Sequence, residues 1–379
     1  MTASLETDPQ QAGSERSGTG RIPVAVLGAT GSVGQRFIQL LENHPWFRVH
    51  EVIASEKSVG KAYGEAATWR LGTPIPSAAE SLTVKELGAD LESALVFSSL
   101  DSSVAGAAED QYADRGCVVV SNSGNHRMDP DVPLLIPEIN ADHLDAIESQ
   151  RARRRSHGYI VTNPNCSTIG LAMTLAPIET QHGVDRVNVT TMQAISGAGY
   201  AGVPSYSILD NIIPNIPGEE AKIESEPRKI LGRWDGAEFI CSTISISAQV
   251  NRVPVVDGHL MSISVGFRNR KDLRRHFKIE TLVEDTKHAI RSWMGEPQLL
   301  RLPSAPRKPL ILLEGEDRPQ PRLDRDRENG MVVSVGRVRP CNFLDIRMVA
   351  LVHNTIRGAA GAAILNAELL QAKNLLTLQ

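Results

Sequence analysis

The stretch IPVAVLGATGSVGQRFIQLL, residues 22–41, decides the fold of the first part of this 379-residue chain. It begins with a short apolar run, Ile22–Leu27, which is typical of a buried parallel strand. The segment that follows has helical spacing, with Val33, Phe37 and Leu40 on one side. The order strand, turn, helix predicts the first unit of a parallel α/β sheet.

Three glycines, Gly28, Gly31 and Gly34, lie in the turn between this strand and this helix. Such a setting is expected of a dinucleotide-binding loop. Glycines allow a tight turn and bring main-chain N–H groups close to a pyrophosphate, and the helix N-terminus adds partial positive charge. The spacing is GxxGxxG rather than GxGxxG, so a turn that serves only helix–strand packing is the alternative.

The rest of the sequence shows two patterns. Apolar runs alternate with helical stretches up to residue 162, which predicts βαβ units and a Rossmann-type parallel sheet. These runs lie at 49–54, 94–97, 117–121 and 159–162. Beyond residue 166, β-type runs with alternation predict a second, mixed α/β domain with a largely antiparallel sheet. They lie at 184–196, 238–250, 259–267, 331–338 and 345–353. A long amphipathic helix is expected at 271–294, and a helix at 355–375 is expected to pack against the first domain.

Composition and charge exclude several classes of protein. The 40 Lys and Arg residues nearly balance 44 Asp and Glu residues, and only 4% of the residues are aromatic. We therefore expect neither nucleic acid nor a membrane as a partner. The four cysteines have no metal-binding spacing, so we expect no metal site and reduced thiols in the cytoplasm. Residues 1–20 contain acidic residues and no apolar core, and are expected to be a disordered extension rather than a signal peptide.

The residues after the second predicted strand bear on the choice between NAD and NADP. A carboxylate there holds the ribose 2′-hydroxyl, whereas a cation accepts a 2′-phosphate. The sequence at this point is Ser55, Glu56, Lys57, Ser58. Lys57 with its flanking hydroxyls favours NADP, and the preference reverses if Glu56 faces the ribose.

Cys166 is the candidate nucleophile. It lies in the segment NPNCSTIG, residues 163–170, between a strand and an apolar helix. A helix N-terminus lowers the pKa of a thiol. In a dinucleotide-binding protein, a thiolate points to acyl transfer through a thioester coupled to hydride transfer. The alternative is a small buried apolar side chain, which we favour for Cys117, Cys241 and Cys341.

Charged side chains that could assist this cysteine lie further along the chain. Arg252 and His259 flank a turn that contains Pro and Gly, and could converge on one pocket. Arginine offers a bidentate grip on an anion and histidine offers proton transfer, although a surface or capping role is the alternative for the histidine. Glu219 and Lys222 would share a helix face, where a solvated surface pair is the commoner case.

Together these motifs resemble the aspartate-semialdehyde dehydrogenase family, and more closely its archaeal and fungal-type branch. The matching segments extend from residue 28 to residue 369. They are GATGSVGQRF (28–37), SNSGNHRMD (121–129), NPNCSTIGLA (163–172), QAISGAGY (193–200), GEEAKIESE (218–226), RVPVVDGH (252–259) and HNTIRGAAGAAILNAEL (353–369).

The resemblance implies that NADPH reduces L-aspartyl 4-phosphate to L-aspartate 4-semialdehyde and phosphate, a step toward lysine, threonine and methionine. Cys166 would form a thioacyl enzyme and His259 would act as acid and base. The implied substrate contacts are Gln193 for orientation, Arg252 for the α-carboxylate, Glu219 for the amino group, and Arg127 and Lys222 for the phosphate. The implied NADP contacts are Gly28, Thr30, Gly31, Ser32 and Val33 at the pyrophosphate, Ser55, Lys57 and Ser58 near the 2′-phosphate, and Ser196, Gly197 and Asn354 near the nicotinamide.

The domain organisation expected on this basis is discontinuous. Residues 21–164 and 355–379 would form the NADP-binding domain, and residues 165–354 the catalytic and dimerisation domain. A homodimer or homotetramer is expected.

Other functions stay open at this point. A malonyl-CoA reductase or another acyl-CoA or acyl-phosphate reductase, such as an N-acetyl-glutamyl-phosphate reductase, would use the same thioester chemistry. An inactive nicotinamide-binding regulatory protein would not need Cys166 and His259, and a Cys/His hydrolase would leave the glycine turn without a purpose.

Overall fold

The computed structural model describes residues 20–376, so the prediction for residues 1–20 lies outside the described residues except for Gly20. Two six-stranded sheets and one two-stranded sheet organise the described part of the chain.

The first sheet is parallel throughout, which confirms the expected Rossmann-type sheet. Its strands are β1 (Ile22–Leu27), β2 (Phe47–Ile53), β3 (Val84–Lys85), β4 (Leu95–Ser98), β5 (Val118–Ser121) and β6 (Tyr159–Thr162). They are arranged in the order β3-β2-β1-β4-β5-β6. The helices between them are α1 (Ser32–Leu41), α2 (Tyr63–Ala66), α3 (Ser77–Glu80), α4 (Ser102–Asp114), α5 (Pro137–Asn140) and α6 (Ala146–Arg154). Strands β4, β5 and β6 are buried along their whole length, as expected of strands covered on both faces.

The second sheet is mixed. Its strands are β7 (Val184–Gln193), β10 (Ser245–Arg252), β11 (His259–Phe267), β12 (Leu310–Leu313), β13 (Val333–Pro340) and β14 (Ile346–Val352), and β8 (Arg233–Trp234) pairs with β9 (Phe239–Ile240) in the small sheet. The order is β10-β7-β11-β14-β13-β12. The three central pairings are antiparallel, as expected, but both edge strands pair in parallel with their neighbours. Alternation of apolar residues indicates a strand with one buried face, which favours an antiparallel sheet but does not fix the direction of each edge strand.

The remaining helices pack around this second sheet or follow it. They are α7 (Cys166–His182), α8 (Ser205–Ile208), α9 (Glu219–Ile230), α10 (Arg270–His276), α11 (Ile279–Ser292), α12 (Glu296–Leu299), α13 (Pro321–Asp324) and α14 (Gly361–Ala372). The prediction of one helix over residues 271–294 is wrong, because Phe277 and Lys278 are extended and separate α10 from α11. Only α11 buries an apolar stripe, whereas α10 buries no residue, so packing does not hold the two in one helix.

The C-terminal helix α14 follows a π-helical turn, Ile356–Ala360. Buried side chains of α14 such as Ala363, Ile364 and Leu365 belong to the same apolar cluster as β1 and β4. This contact is consistent with the expected return of the chain to its first half, and the domain boundaries stay a prediction.

Two sheet ends converge on one region. Strand β1 ends at the glycine turn, and β6 ends just before Cys166, so both features lie at the carboxyl edge of the parallel sheet. In the second sheet, Gln193 is paired with Arg252 and His259 with Val352, which brings these residues to one end of that sheet. Within residues 20–376, no helix is long and apolar enough to span a bilayer.

Candidate active site

Cys166 is the first residue of α7. Asn165 is the N-cap, and its side-chain oxygen accepts hydrogen bonds from the main-chain N–H groups of Ser167 at 2.9 Å and Thr168 at 3.2 Å. Cys166 as a residue is partly exposed, and its Sγ lies 3.2 Å from Nε2 of His259. The cysteine and the histidine singled out from the sequence therefore form one pair.

The contacts of His259 define its tautomer. The main-chain N–H of Ala194 donates to Nδ1 at 3.0 Å, so the neutral ring carries its proton on Nε2 and directs it at Sγ of Cys166. Burial, with the charges of Arg252 and His353, lowers the pKa of His259 to about 3. His259 is thus placed to donate a hydrogen bond to a thiolate or an oxyanion. In this tautomer both ring nitrogens are occupied, so His259 cannot take up the thiol proton. Of the acid and base roles expected from the sequence, the geometry supports that of a hydrogen-bond donor.

The groups around Cys166 have opposing effects on the pKa of its thiol. Burial raises the pKa of the thiol to about 12 and the carboxylate of Glu219 adds to this, whereas the positive charges of Arg127 and Arg252 act in the opposite direction. The N-terminus of α7 also favours a negative charge at this position. Burial thus favours the protonated thiol in the free protein, whereas Arg127 and Arg252 favour a negative charge beside it.

Arg252 lies in the same pocket. Its guanidinium is buried and donates through Nη1 to the carbonyl of Ala194 at 2.8 Å. A Cβ atom at Gly197 would lie 3.0 Å from this Nη1 and 3.4 Å from Nε2 of His259, so the main chain at Gly197 closes one side of the pocket. Gln193 is paired with Arg252 in the sheet. Its side-chain amide is buried and donates to Thr191 at 3.3 Å.

The acidic and basic residues predicted on α9 differ in exposure. Glu219 is buried and its Oε1 accepts from the side-chain amide of Asn165 at 2.8 Å, so it is not part of a solvated surface pair. Lys222 has a side chain that is 43% exposed, and its Nζ lies 3.6 Å from Glu219. The Lys222 ammonium group is therefore partly open to solvent beside the buried carboxylate of Glu219.

Arg127 is buried near the N-terminus of α7, where Glu226 links it to Asn165. It donates through Nη1 to Glu226 at 2.9 Å and through Nη2 to the carbonyl of Asn122 at 2.7 Å. Its Nε is buried and has no hydrogen-bond partner among the described residues. A buried donor without a partner is costly, and a ligand oxygen would satisfy it.

The glycine turn has the features of a pyrophosphate cradle. Gly28 has a φ of +73°, and a Cβ atom at Gly34 would overlap the carbonyl oxygen of Gly28. No side chain in the described part of the chain caps helix α1, whose first N–H groups, at Ser32 and Val33, have no intrahelical acceptor. Thr30 lies in the same turn, and its carbonyl accepts from Gln35. These residues fit a bound pyrophosphate.

The two other groups of predicted cofactor residues lie after β2 and at the pocket. Ser55 and Lys57 are exposed and Ser58 is buried in a short 3₁₀ turn after β2, where Glu56 is exposed as well. At the pocket, Asn354 donates to Oγ of Ser196 at 2.8 Å.

The glycine turn and the pocket are joined by direct contacts. Tyr200 donates to Gln35 of α1 at 3.5 Å, and a Cβ atom at Gly199 would lie 4.0 Å from Oγ of Ser32. The segment that carries Ser196 and Gly197 therefore spans the distance from the glycine turn to His259.

Four contributors to the site were not predicted from the sequence. Asn165 could have been found, because Asn before a helix is a common N-cap. The main-chain N–H of Ala194, the carboxylate of Glu226 and the close approach of Gly358 could not, because they depend on tertiary contacts. A Cβ atom at Gly358 would lie 2.9 Å from Cβ of Cys166.

Comparison with known proteins gives a consistent result. Residues 23–147 match the family described as "Semialdehyde dehydrogenase, NAD binding domain", and residues 175–357 match "Semialdehyde dehydrogenase, dimerisation domain". The chain is 47% identical to an aspartate-semialdehyde dehydrogenase of Archaeoglobus fulgidus over 92% of this chain and 98% of the relative.

Solved structures agree. A crystal structure of aspartate-semialdehyde dehydrogenase with NADP from Candida albicans matches with a TM-score of 0.84 and 44% identity, over 94% of this chain and 100% of that one. Aspartate-semialdehyde dehydrogenase II of Vibrio cholerae, solved in complex with ASA, matches with a TM-score of 0.72 and 26% identity, over 93% of this chain and 99% of that one. The similarity to both an archaeal and a fungal protein confirms the resemblance drawn from the motifs.

Proposed function

Because this chain belongs to the aspartate-semialdehyde dehydrogenase family, we propose that it catalyses the NADPH-dependent reductive dephosphorylation of L-aspartyl 4-phosphate to L-aspartate 4-semialdehyde. This reaction supplies lysine, threonine and methionine biosynthesis. The observation that carries the proposal is the 3.2 Å contact between Sγ of Cys166, at the N-terminus of α7, and Nε2 of His259. Malonyl-CoA and other acyl-CoA reduction, and an inactive regulatory protein, are not favoured.

In the proposed mechanism, the Cys166 thiolate attacks the acyl carbon of the substrate. The bond from this carbon to the phosphate oxygen breaks, phosphate leaves as hydrogen phosphate with the proton that the thiol gave up, and a thioacyl enzyme forms. NADPH, when bound, supplies the hydride that reduces the acyl group. The sulfur then leaves as a thiolate while the aldehyde forms. The Nε2–H of His259 stabilises the thiolate before the attack and again when the aldehyde leaves. It lies close enough to Sγ to donate a hydrogen bond to the oxyanion on the adjacent carbon.

Charge complementarity supports the choice of substrate. L-aspartyl 4-phosphate has an anion at each end, and two arginines, Arg127 and Arg252, act electrostatically on the nucleophile. Arg252 would bind the α-carboxylate, and Arg127 with Lys222 would bind the phosphate, for which the buried unpaired Nε of Arg127 is an available donor. Glu219 would accept from the substrate ammonium group, and Gln193 would orient the substrate.

NADP is the cofactor that we assign to the glycine turn. Gly28, Thr30, Gly31, Ser32 and Val33 would hold the pyrophosphate. Exposed Lys57, with Ser55 and Ser58, would meet the 2′-phosphate, and Ser196, Gly197 and Asn354 would border the nicotinamide. The bound NADP of the Candida albicans relative supports this assignment.

The protein is a homo-oligomer that acts on a small molecule, and we propose a homodimer or a homotetramer in the cytoplasm. The match to a dimerisation domain over residues 175–357 supports association. Within that range, Tyr206, Leu209 and Ile212 are 99%, 66% and 57% exposed and form an apolar segment suited to cover by a second copy. The four cysteines are unpaired, as expected in a reducing compartment. Neither nucleic acid nor membrane is among the partners proposed.

The experiment is an assay of the reverse reaction. Purified protein is mixed with L-aspartate 4-semialdehyde, phosphate and NADP⁺, and NADPH absorbance is followed. We expect a rate that depends on phosphate and is lost in Cys166→Ala. A Cys166→Ala variant with the wild-type rate would refute the mechanism, and equal or better turnover of malonyl-CoA in the presence of NADPH would refute the substrate.

A further inference from the structure

Glu226 connects two parts of the pocket that lie far apart in the sequence. Its side chain is 2% exposed and faces inward from α9. Oε1 accepts from Nη1 of Arg127 at 2.9 Å, and Oε2 accepts from the main-chain N–H of Asn165 at 2.8 Å. One carboxylate thus holds a guanidinium on one side and the N-cap of the nucleophile helix on the other.

Two other residues of α9, Glu219 and Lys229, form hydrogen bonds with Asn165 and with the loop that carries Arg127. Glu219 accepts from the side-chain amide of Asn165 at 2.8 Å, so both the main chain and the side chain of this N-cap are held by α9. At the other end, Nζ of Lys229 donates to the carbonyls of Arg127 at 2.9 Å, Asp129 at 2.7 Å and Val132 at 2.8 Å. The helix therefore fixes the main chain of the Arg127 loop as well as its guanidinium.

We propose that Glu226 is a positioning residue for this reaction, which sets the guanidinium of Arg127 and the N-terminus of the nucleophile helix in one fixed relation. This proposal rests on the proposed function, in which Arg127 binds the phosphate of the substrate. Both oxygens of Glu226 already accept hydrogen bonds from Arg127 and Asn165, so we assign it no contact with the substrate. Its two oxygens belong to one rigid carboxylate and each accepts one hydrogen bond, so the two partners cannot move independently.

The ion pair between Glu226 and Arg127 also affects the electrostatic potential at the Cys166 thiol. The positive charge of Arg127 lowers the pKa of the Cys166 thiol, and Glu226 compensates that charge at a distance of one hydrogen bond. A neutral side chain in place of Glu226 leaves the guanidinium uncompensated. The thiolate is then favoured, while the guanidinium loses the partner that holds it in place.

The test uses Glu226→Gln, which keeps the size of the side chain but provides only one oxygen for two donors. The matched control is Glu224→Gln on the same helix, where the carboxylate accepts from the main-chain N–H of Ala248 at 3.0 Å. In the phosphate-dependent oxidation of L-aspartate 4-semialdehyde, Glu226→Gln is expected to raise the KM for phosphate about tenfold or more and to leave the KM for NADP⁺ within about twofold. The control is expected to change neither.

A double-mutant cycle shows whether the effect passes through Arg127. If it does, adding Glu226→Gln to Arg127→Met raises the KM for phosphate little further, because the group that Glu226 positions is already gone. Multiplication of the two single effects would overturn the proposal. So would an unchanged KM for phosphate in Glu226→Gln, or an equal rise in Glu224→Gln.

A second readout does not depend on the reaction. The rate of Cys166 alkylation by iodoacetamide is measured against pH, and Glu226→Gln is expected to move the profile to lower pH by about half a unit or more. An unmoved profile contradicts the electrostatic part of the proposal. A wild-type protein that lacks phosphate-dependent activity refutes the proposed function instead, and in that case the alkylation profile still decides whether Glu226 acts on the pocket.

Discussion

Replacement of Gly358 by alanine is expected to displace the nucleophile without unfolding the protein. The added Cβ would lie 2.9 Å from Cβ and 3.2 Å from Cα of Cys166. Carbon atoms pack best at about 3.5–4.0 Å, so the new atom is too close by about 0.6–1.1 Å. The π-helical turn cannot yield easily, because the neighbouring Arg357 is fully buried and donates to Glu138 at 2.8 and 2.6 Å.

The strain therefore falls on Cys166 and lengthens its 3.2 Å contact with His259. Overpacking of this size costs about 1–3 kcal/mol of stability, and a shift of about 1 Å at a reacting atom costs about 10²-fold in rate. The assay is kcat/KM for phosphate-dependent semialdehyde oxidation, with thermal unfolding as a check of the fold. Gly72→Ala is the control, because a Cβ there meets nothing within 4 Å. A Gly358→Ala variant with kcat/KM within about threefold of wild type would show that this packing does not place the thiol.

Two further substitutions and one pH profile probe the pocket, and one substitution probes the assembly. Arg252→Lys is expected to lower kcat/KM about 10²-fold or more, because lysine cannot make a bidentate grip, and an unchanged value would remove Arg252 from the site. Gly197→Ala brings a Cβ to 3.0 Å from the Arg252 guanidinium, and steady-state kinetics should show a loss of about tenfold or more in kcat/KM; wild-type kinetics would mean that the pocket is wider than described. The pKa of Cys166 is raised to about 12 and that of His259 lowered to about 3, so neither group titrates between pH 6 and 9. Iodoacetamide alkylation of the free enzyme should thus rise roughly tenfold per pH unit, and a plateau in this range would indicate a thiolate–imidazolium pair instead. Tyr206→Ser should weaken self-association in sedimentation, and an unchanged mass across the concentration range would place the interface elsewhere.

The first sheet could be predicted from the sequence because its buried strands are continuous apolar runs separated by helical spacing. Strand β6, for example, was expected at the four residues where the structure has it. The break at Phe277 was not predictable, because the spacing of apolar residues continues across it and only packing shows that α10 is unburied. The parallel edge pairings of the second sheet depend on which chain segments meet, and this is set by the tertiary fold.

The candidate site was predicted to a similar extent. Cys166, His259 and Arg252 lie in motifs whose residue types suggest their chemistry, and the fold brings the three together. The tautomer of His259 was not predictable, because it is set by the main-chain N–H of Ala194, which carries no side-chain signal. Glu226 was missed for another reason: a carboxylate on a charged helix is commonly solvated, and its two partners are distant in sequence.

The most direct test of the central claim is whether Cys166 becomes acylated. Enzyme is mixed with L-aspartate 4-semialdehyde and NADP⁺ in phosphate-free buffer, NADPH is followed by stopped flow, and the intact protein is examined by mass spectrometry. The proposed mechanism predicts a burst of one NADPH per active site and one aspartyl group attached to Cys166, which phosphate then releases. A full burst in Cys166→Ala, or an aspartyl group on another residue, would contradict it.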